Sequence, residues 1–349
     1  MKILLLSRYG RLGSTSRVRF YQYIPYLEAH GLQITIRPLL ADEYVRNLYA
    51  NRPQNPLFLV CAYLTRLRAL LRNRRFDLIW VEKEFLPWLP PWAARLRTPY
   101  IADYDDAIFH RYDRPKNPIV RLLLGKKIDS VMRRAARVVA GNDYIAARAR
   151  RAGAKRIEYL PTVIDTDHYR VAPATKRPGF NIGWIGAPIT APYLKLIQPA
   201  LEQVCKQGGA RLTLVGAGAV EMEGVPLEIR LWTEETEVAE IQQFDVGIMP
   251  LPDEPFERGK CGYKLIQYMG CGLPVVATPL GVNRHIVEHG INGFHAATTE
   301  EWAAALATLR DDPELRRRMG MAGRAKIEAE YSLQVTAPKL LNLLQDLRS

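Results

Sequence analysis

At 349 residues the chain is longer than one ordinary domain, and its 48% hydrophobic and 24% charged residues describe packed protein rather than disordered, collagen-like or low-complexity chain. No apolar run approaches the roughly 18 residues that cross a bilayer, and Met1–Arg8 meets charge too soon for a secretory leader. The net charge of +13 is uneven: residues 1–177 carry 33 Lys and Arg against 15 Asp and Glu, residues 178–349 carry 16 against 21. A strongly basic half suits an anionic partner, be it a membrane surface, a phosphorylated acceptor or nucleic acid, and an ordinary solvated surface is the alternative. Cys61, Cys205, Cys261 and Cys271 lack CxxC spacing, which fits free thiols in a reducing compartment. His285 and His289 share helical spacing but have no third ligand beside them, so no metal site is expected.

Short Leu, Ile and Val runs alternate with helical periods from end to end, the pattern of βαβ units and a mostly parallel sheet. Strands are predicted at 3–7, 32–37, 78–81, 100–102, 138–140 and 157–160, with helices near 17–30, 56–73, 118–135 and 143–152. The second half repeats the scheme with strands at 181–185, 211–215, 227–231, 246–249 and 275–277. Each half therefore reads as its own doubly wound, Rossmann-like α/β sheet. The stretch 168–179, with two prolines, a glycine and no periodicity, marks the boundary. The expected division is 1–172 and 173–328, followed by a helical segment, 329–349, placed to pack back onto the first domain.

Ligands of open α/β sheets bind outside the carboxyl ends of the strands, so the loops there hold the candidates. Ile185-Gly186 runs on to Thr190 and Val215-Gly216 makes a second strand-glycine turn, both open to a phosphate. Beyond the strand at 246–249 come Glu257, Lys260 and a helix opening near Gly262. The amides of Gly262 and Tyr263, with Lys260 and Lys264, would hold a diphosphate, and Gln267 one turn on would reach a sugar hydroxyl. A surface helix with solvated lysines is the competing reading. In the first half, Asp103, Asp105 and Asp106 crowd the end of one strand, with His110 close behind. Buried and ionised together they would repel, which raises at least one pKa; a magnesium site and a solvated loop compete with a catalytic role. Arg17 and Arg19, behind the loop of Gly13 and Ser14, suit an anionic donor or acceptor. Residues Arg66–Arg75 form a basic amphipathic helix suited to anionic headgroups, and Trp88 and Trp92 follow as interface anchors; a surface helix with a buried leucine side is the alternative.

Met269-Gly-Cys-Gly272-Leu-Pro274-Val-Val-Ala277, with Trp184-Ile185-Gly186, Leu214–Gly218, Leu160–Asp165 and Ile286–Gly293, resembles retaining glycosyltransferase family 4, the group 1 glycosyltransferases. The chain is a divergent member by this resemblance, because Gly259 and Gln267 stand where the family carries its paired Glu residues. The resemblance implies a GT-B fold of two Rossmann-like domains facing a central cleft. It implies a nucleotide-sugar donor, held by Gly13, Ser14, Gly186, Thr190, Gly216, Glu257, Lys260, Gly262, Tyr263, Lys264 and Gln267. Asp105, Asp106 and His110 then serve catalysis, and Arg17, Arg19 and Glu84 the acceptor. Retention of configuration, metal-independent chemistry without a cofactor, and an anionic or lipid-linked acceptor in polysaccharide or glycolipid synthesis go with it. The implied placement is cytoplasmic, at the inner membrane face where the basic helix docks, without nucleic acid. A nucleotide-sugar epimerase and a non-enzymatic nucleic-acid-binding protein are the competing functions; the first needs no acceptor and the second would show steep salt dependence.

Overall fold

A computed structural model describes residues 1–50, 52–91, 96–173 and 178–347. Trp92 and part of the boundary stretch, 174–177, lie outside them. The chain divides into two units: Met1–Thr162 with Arg258–Cys261 and the chain from Thr336 on, and Val163–Glu257 with Gly262–Val335.

Unit one is built on six parallel strands: β1 (Lys2–Leu6), β2 (Gln33–Ile36), β3 (Leu78–Glu82), β4 (Tyr100–Tyr104), β5 (Arg137–Ala140) and β6 (Ile157–Tyr159). Their order is β2-β1-β3-β4-β5-β6, with Leu5 registered against Ile36 on one side and Trp80 on the other. β3, β4 and β5 are buried at every position, which is why they read as mostly apolar runs without alternation, with Glu82, Asp103 and Arg137 as their buried charges. Local chemistry sets the helices. Asn55 and Asn117 accept the amides of Leu57 and Ile119 ahead of Pro56 and Pro118, opening the helices Pro56–Leu71 and Pro118–Leu124. The helical stretch expected over 118–135 is in fact two helices, since the chain turns at Gly125-Lys126 before Lys127–Arg134. The helix Leu333–Gln345 closes the unit: Leu340 and Leu344 are buried, Tyr23 Oη and Thr336 Oγ1 lie 3.0 Å apart, and Arg137 donates to the Leu343 carbonyl at 2.9 Å.

Unit two carries β7 (Phe180–Ile185), β8 (Ala210–Val215), β9 (Leu227–Arg230), β10 (Val246–Met249), β11 (Val275–Ala277) and β12 (Gly293–His295), in the order β12-β11-β10-β7-β8-β9 and all parallel. β12 was not expected; three residues with one aromatic leave little pattern to read. Ile182, Trp184, Leu212 and Leu214 meet Leu194, Leu201, Trp302 and Leu306 in one core, while Ile185, Val215 and Met249 join Leu265, Tyr268 and Ile327 in another. A reciprocal cap between Thr298 and Glu301 starts Thr299–Asp311, and Asp312 caps Pro313–Glu330. Among the described residues no helix is long and apolar enough to cross a membrane.

The strand order reverses between β1 and β3 in unit one and between β7 and β10 in unit two, so each sheet has a crevice at that switch point. In unit two the crevice depends on close packing beneath it. A Cβ on Gly247 of β10 would lie 2.1 Å from the Tyr268 ring, whose hydroxyl accepts the Ile185 amide at 2.9 Å. Gly247→Ala should therefore cost about 1–3 kcal/mol through overpacking. Scanning calorimetry should show a Tm lower by several degrees; an unchanged Tm would mean that the ring swings aside.

Candidate functional site

The carboxyl ends of β1, β3 and β4 bring a dense charge cluster to the switch point of unit one. Glu82, the last residue of β3, accepts the Arg8 amide at 2.7 Å and the Ser16 hydroxyl at 2.6 Å, tying the first loop to the third strand. Lys83 follows with φ +62, a left-handed conformation that costs a non-glycine about 1–2 kcal/mol. That turn aims its ammonium at two carboxylates, Asp105 Oδ1 at 2.9 Å and Asp106 Oδ2 at 2.7 Å. Thr15 donates to Asp105 Oδ2 at 3.0 Å. Behind them Arg19 grips Asp103 through Nε and Nη2 at 2.9 and 2.6 Å, with Trp80 on the other oxygen.

The repulsion expected among Asp103, Asp105 and Asp106 is thus relieved by interleaved cations. Burial raises Asp103 despite Arg19, whereas for Asp105 the Lys83 charge and hydrogen bond outweigh burial and lower its pKa. Lys83 is raised: burial alone would lower it, but Asp105, Asp106 and Glu82 prevail. Glu82 is pushed up by burial, and its Oε1, like Asp106 Oδ1, is buried without a hydrogen-bond partner. Lys83 also stands where a cation between Asp105 and Asp106 would sit. Among the described residues no group of three or more His, Cys, Asp and Glu side chains is disposed to hold a metal ion.

Other candidates in this unit are engaged elsewhere. His110 faces Asp113 at 2.8 Å through Nδ1 and the Tyr144 hydroxyl at 2.9 Å through Nε2, and burial lowers its pKa. Both ring nitrogens therefore already have partners. Glu84 is buried against Lys127 at 2.5 Å, the Tyr112 hydroxyl and Arg8. Arg17 and Arg19 are buried too. Ser14 is exposed at the start of the helix Ser14–Arg19, and a Cβ on Gly13 would collide with Tyr9 at 2.3 Å. Lys260 belongs to unit one through Arg258–Cys261, a segment held by Asn142, which donates to the Gly259 carbonyl at 2.8 Å, and by Cys261, which donates to the Asp105 carbonyl at 2.6 Å. Arg66 departs from the exposed basic stripe expected of Arg66–Arg75. It is buried, its guanidinium donating to the carbonyls of Ser7 and Arg37.

Unit two gathers its candidates around the end of β7. Lys264, in the first turn of the helix Tyr263–Gly270, lies 5.1 Å over the Trp184 ring, and a Cβ on Gly186 would meet its Cε at 2.7 Å. Gly216 has φ +76 and stands so close that a Cβ would lie 2.6 Å from the Gly186 carbonyl. Gly262 opens the helix at φ +66 against Ile286. Thr190 donates to the Ala187 carbonyl at 3.0 Å. Glu257 is buried and accepts the Tyr193 hydroxyl at 2.5 Å. Gln267 faces inward: its amide donates to Tyr169 at 2.9 Å, Tyr169 donates to Glu237 at 2.6 Å, and Trp232 donates to the other Glu237 oxygen at 2.9 Å.

Comparison with known proteins matches this geometry to a family. The family model described as glycosyl transferase 4-like domain matches residues 18–162, and that described as glycosyl transferases group 1 matches residues 180–312. The chain belongs to the group 1 glycosyltransferases. HepE of Anabaena, solved in complex with UDP, superposes with a TM-score of 0.72 at 16% identity, covering 99% of this chain and 100% of its own, which establishes the GT-B fold. A D-inositol 3-phosphate glycosyltransferase of Pseudarthrobacter chlorophenolicus is 35% identical over 117 residues, 32% of this chain and 26% of that protein. A GDP-mannose-dependent monoacylated alpha-(1-6)-phosphatidylinositol monomannoside mannosyltransferase of Corynebacterium glutamicum is 33% identical over 85 residues, 24% of this chain and 22% of its own. The matched stretch thus spans about a quarter of these relatives' length.

Lys83 is the residue of this glycosyltransferase that the sequence reading passed over. Its signal was Glu82-Lys83-Glu84, three charges directly after the apolar run Leu78–Val81, where a charge persists only with partners. Lys83→Met removes the countercharge of two carboxylates and should cost about 3 kcal/mol at neutral pH. Because the Asp105 pKa is lowered on folding, its stabilisation is present above the ordinary carboxyl value of 3.8 and fades as pH falls below it. Urea unfolding should show the deficit at pH 7 and a smaller one as pH is taken below 3.8; a deficit of equal size throughout would assign Lys83 a packing role alone.

Proposed function

We propose that this group 1 glycosyltransferase moves a sugar from a nucleotide-sugar, taken by unit two, to an anionic acceptor taken by unit one. The observation that carries the donor reading is Lys264. It is a cation fixed over Trp184 at the carboxyl end of β7, against Gly186 and beside Gly216, at the switch point where sheets of this kind bind ligands. The first amides of the helix Tyr263–Gly270 add their partial charge to it. Trp184 packing limits the motion of the ammonium, so little entropy is lost when a diphosphate arrives. Gln267 supports the pocket from behind through Tyr169, in place of a charged contact to the ribose.

In unit one, Asp105 is held ionised by Lys83, and Asp106 keeps an unpartnered oxygen. These carboxylates orient the acceptor hydroxyl and one of them takes its proton as the acceptor oxygen bonds the sugar's anomeric carbon and the sugar–phosphate bond breaks; the phosphate oxygen of the leaving nucleotide keeps the bonding electrons, its charge met by Lys264. No step requires a metal, and transfer proceeds with retention, as the family resemblance implies. The names of the relatives, one acting on an inositol phosphate and one on a phosphatidylinositol mannoside, support an acceptor with a phosphate or lipid-linked phosphate. The basic balance of the first half fits such an acceptor, and polysaccharide or glycolipid synthesis at the cytoplasmic side of a membrane fits the class.

Thermal shift with UDP, GDP, ADP, dTDP and CMP tests the donor site, since a ligand at 100 times its Kd adds about 2.7 kcal/mol of stability. One diphosphate should stand out, and Lys264→Glu should weaken it by about tenfold or more, as expected when a cation facing a phosphate is reversed. Undiminished affinity in that variant would remove Lys264 from the site.

A further inference from the structure

The helix Pro56–Leu71 is turned the wrong way round for a soluble surface. Leu57, Val60, Leu64 and Leu71 lie between 48% and 74% exposed, while Arg66 is buried on the opposite side with Leu70. Residues 57, 60, 61, 64, 68 and 71 follow the helical repeat, so the exposed apolar side chains and Cys61 form one stripe that Arg68 continues. Single exposed leucines are ordinary, but a whole stripe of them on one helix marks a contact surface. The inward side of the helix ties it to the segment after β3. Tyr63 donates to the Pro87 carbonyl at 3.0 Å, and the next residue, Trp88, is held at φ +59 with its indole 54% exposed and edge-on to Tyr112 at 5.3 Å. The helix that carries Tyr112, His110–Asp113, leads into Pro118–Leu124, whose Ile119, Leu122 and Leu123 are 63–83% exposed.

Charge identifies the occupant. Between Glu43 and Asp77 the chain carries seven arginines and no acidic residue, and Arg68, Arg72, Arg74 and Arg75 are exposed beside the stripe. Around the second helix Arg114, Lys116, Arg121 and Lys126 are exposed. Apolar side chains edged mostly by cations, with Asp77 and Asp113 the acidic residues nearest in sequence, match the acyl region and headgroups of an anionic bilayer, and a tryptophan at the border is the usual interfacial anchor. We propose that this face of unit one, the outer stripe of Pro56–Leu71 with Trp88 and the apolar side chains of Pro118–Leu124, lies on an anionic lipid bilayer. The contacting stripe is thus Leu57–Leu71, with Arg66 serving inside as a tie to the sheet. The inference deepens the lipid-linked reading of the acceptor and rests on it for its purpose, though not for its test.

The test is flotation of the full chain with phosphatidylcholine vesicles, with and without phosphatidylglycerol, each preparation also assayed for the nucleotide-induced thermal shift. The wild-type chain should float with the anionic vesicles only. Leu57→Glu with Leu64→Glu should lower partitioning by about tenfold or more, and each of Arg72→Glu and Arg74→Glu by about fivefold. All variants should keep the wild-type thermal shift, which shows that they fold. The proposal is overturned if the wild-type chain ignores anionic vesicles, if the leucine variant floats as well as wild type, or if the face instead supports a concentration-dependent dimer that Leu57→Glu dissolves. Flotation without any nucleotide shift would leave docking standing and remove the donor reading.

Discussion

A charge cannot stay buried without partners, and the carboxyl edge of the first sheet is organised around that constraint. Lys83 is its centre. The residue accepts a backbone conformation foreign to it, and the ion pairs to Asp105 and Asp106 hold it there. Neighbouring contacts follow from the same need: Glu82 gathers the first loop through Arg8 and Ser16, and Arg19 neutralises Asp103 from below. Each pair fixes a loop to a strand, so the segments at this edge of the sheet are positioned by electrostatics as much as by packing.

Unit two solves its positioning differently, with glycine and aromatic rings. Gly186, Gly216 and Gly247 leave room where a methyl group would collide with Lys264, a carbonyl or Tyr268. A buried polar network, Gln267 to Tyr169 to Glu237 to Trp232, joins the candidate helix to residues far away in sequence. With Gln267 in that network, a neutral amide meets a tyrosine hydroxyl, and an ionised Glu there would have faced the Glu237 carboxylate across a single phenol.

Much of this was legible from residues alone. Buried parallel strands such as Val246–Met249 and Val275–Ala277 are unbroken apolar runs between turn signals, and both were placed to the residue. The glycine turns after β7 and β8 and the helix start at Gly262 were legible because glycine and strand ends leave local marks. Long-range pairing leaves no such marks. Lys83 and Asp105 are far apart in the chain, so nothing local to either shows that they meet, and His110 looked available although Tyr144 occupies it. At the helix 56–71 the run of arginines showed a basic segment but not that Arg66 alone among them turns inward to the carbonyls of Ser7 and Arg37.

The composition of unit one bears on how the protein is made. Its sheet precedes unit two in the chain, yet Leu340, Leu344 and the Leu343 carbonyl that Arg137 holds follow all of it. A ribosome therefore releases unit two's whole sheet, β7 through β12, before the first unit has its closing helix. During translation the early sheet waits with an uncovered apolar flank, a period in which a chaperone has something to bind. Unit one is thus closed by residues that follow unit two in the chain, and removing the turns that carry Leu340 and Leu344 would uncover the amino-terminal sheet.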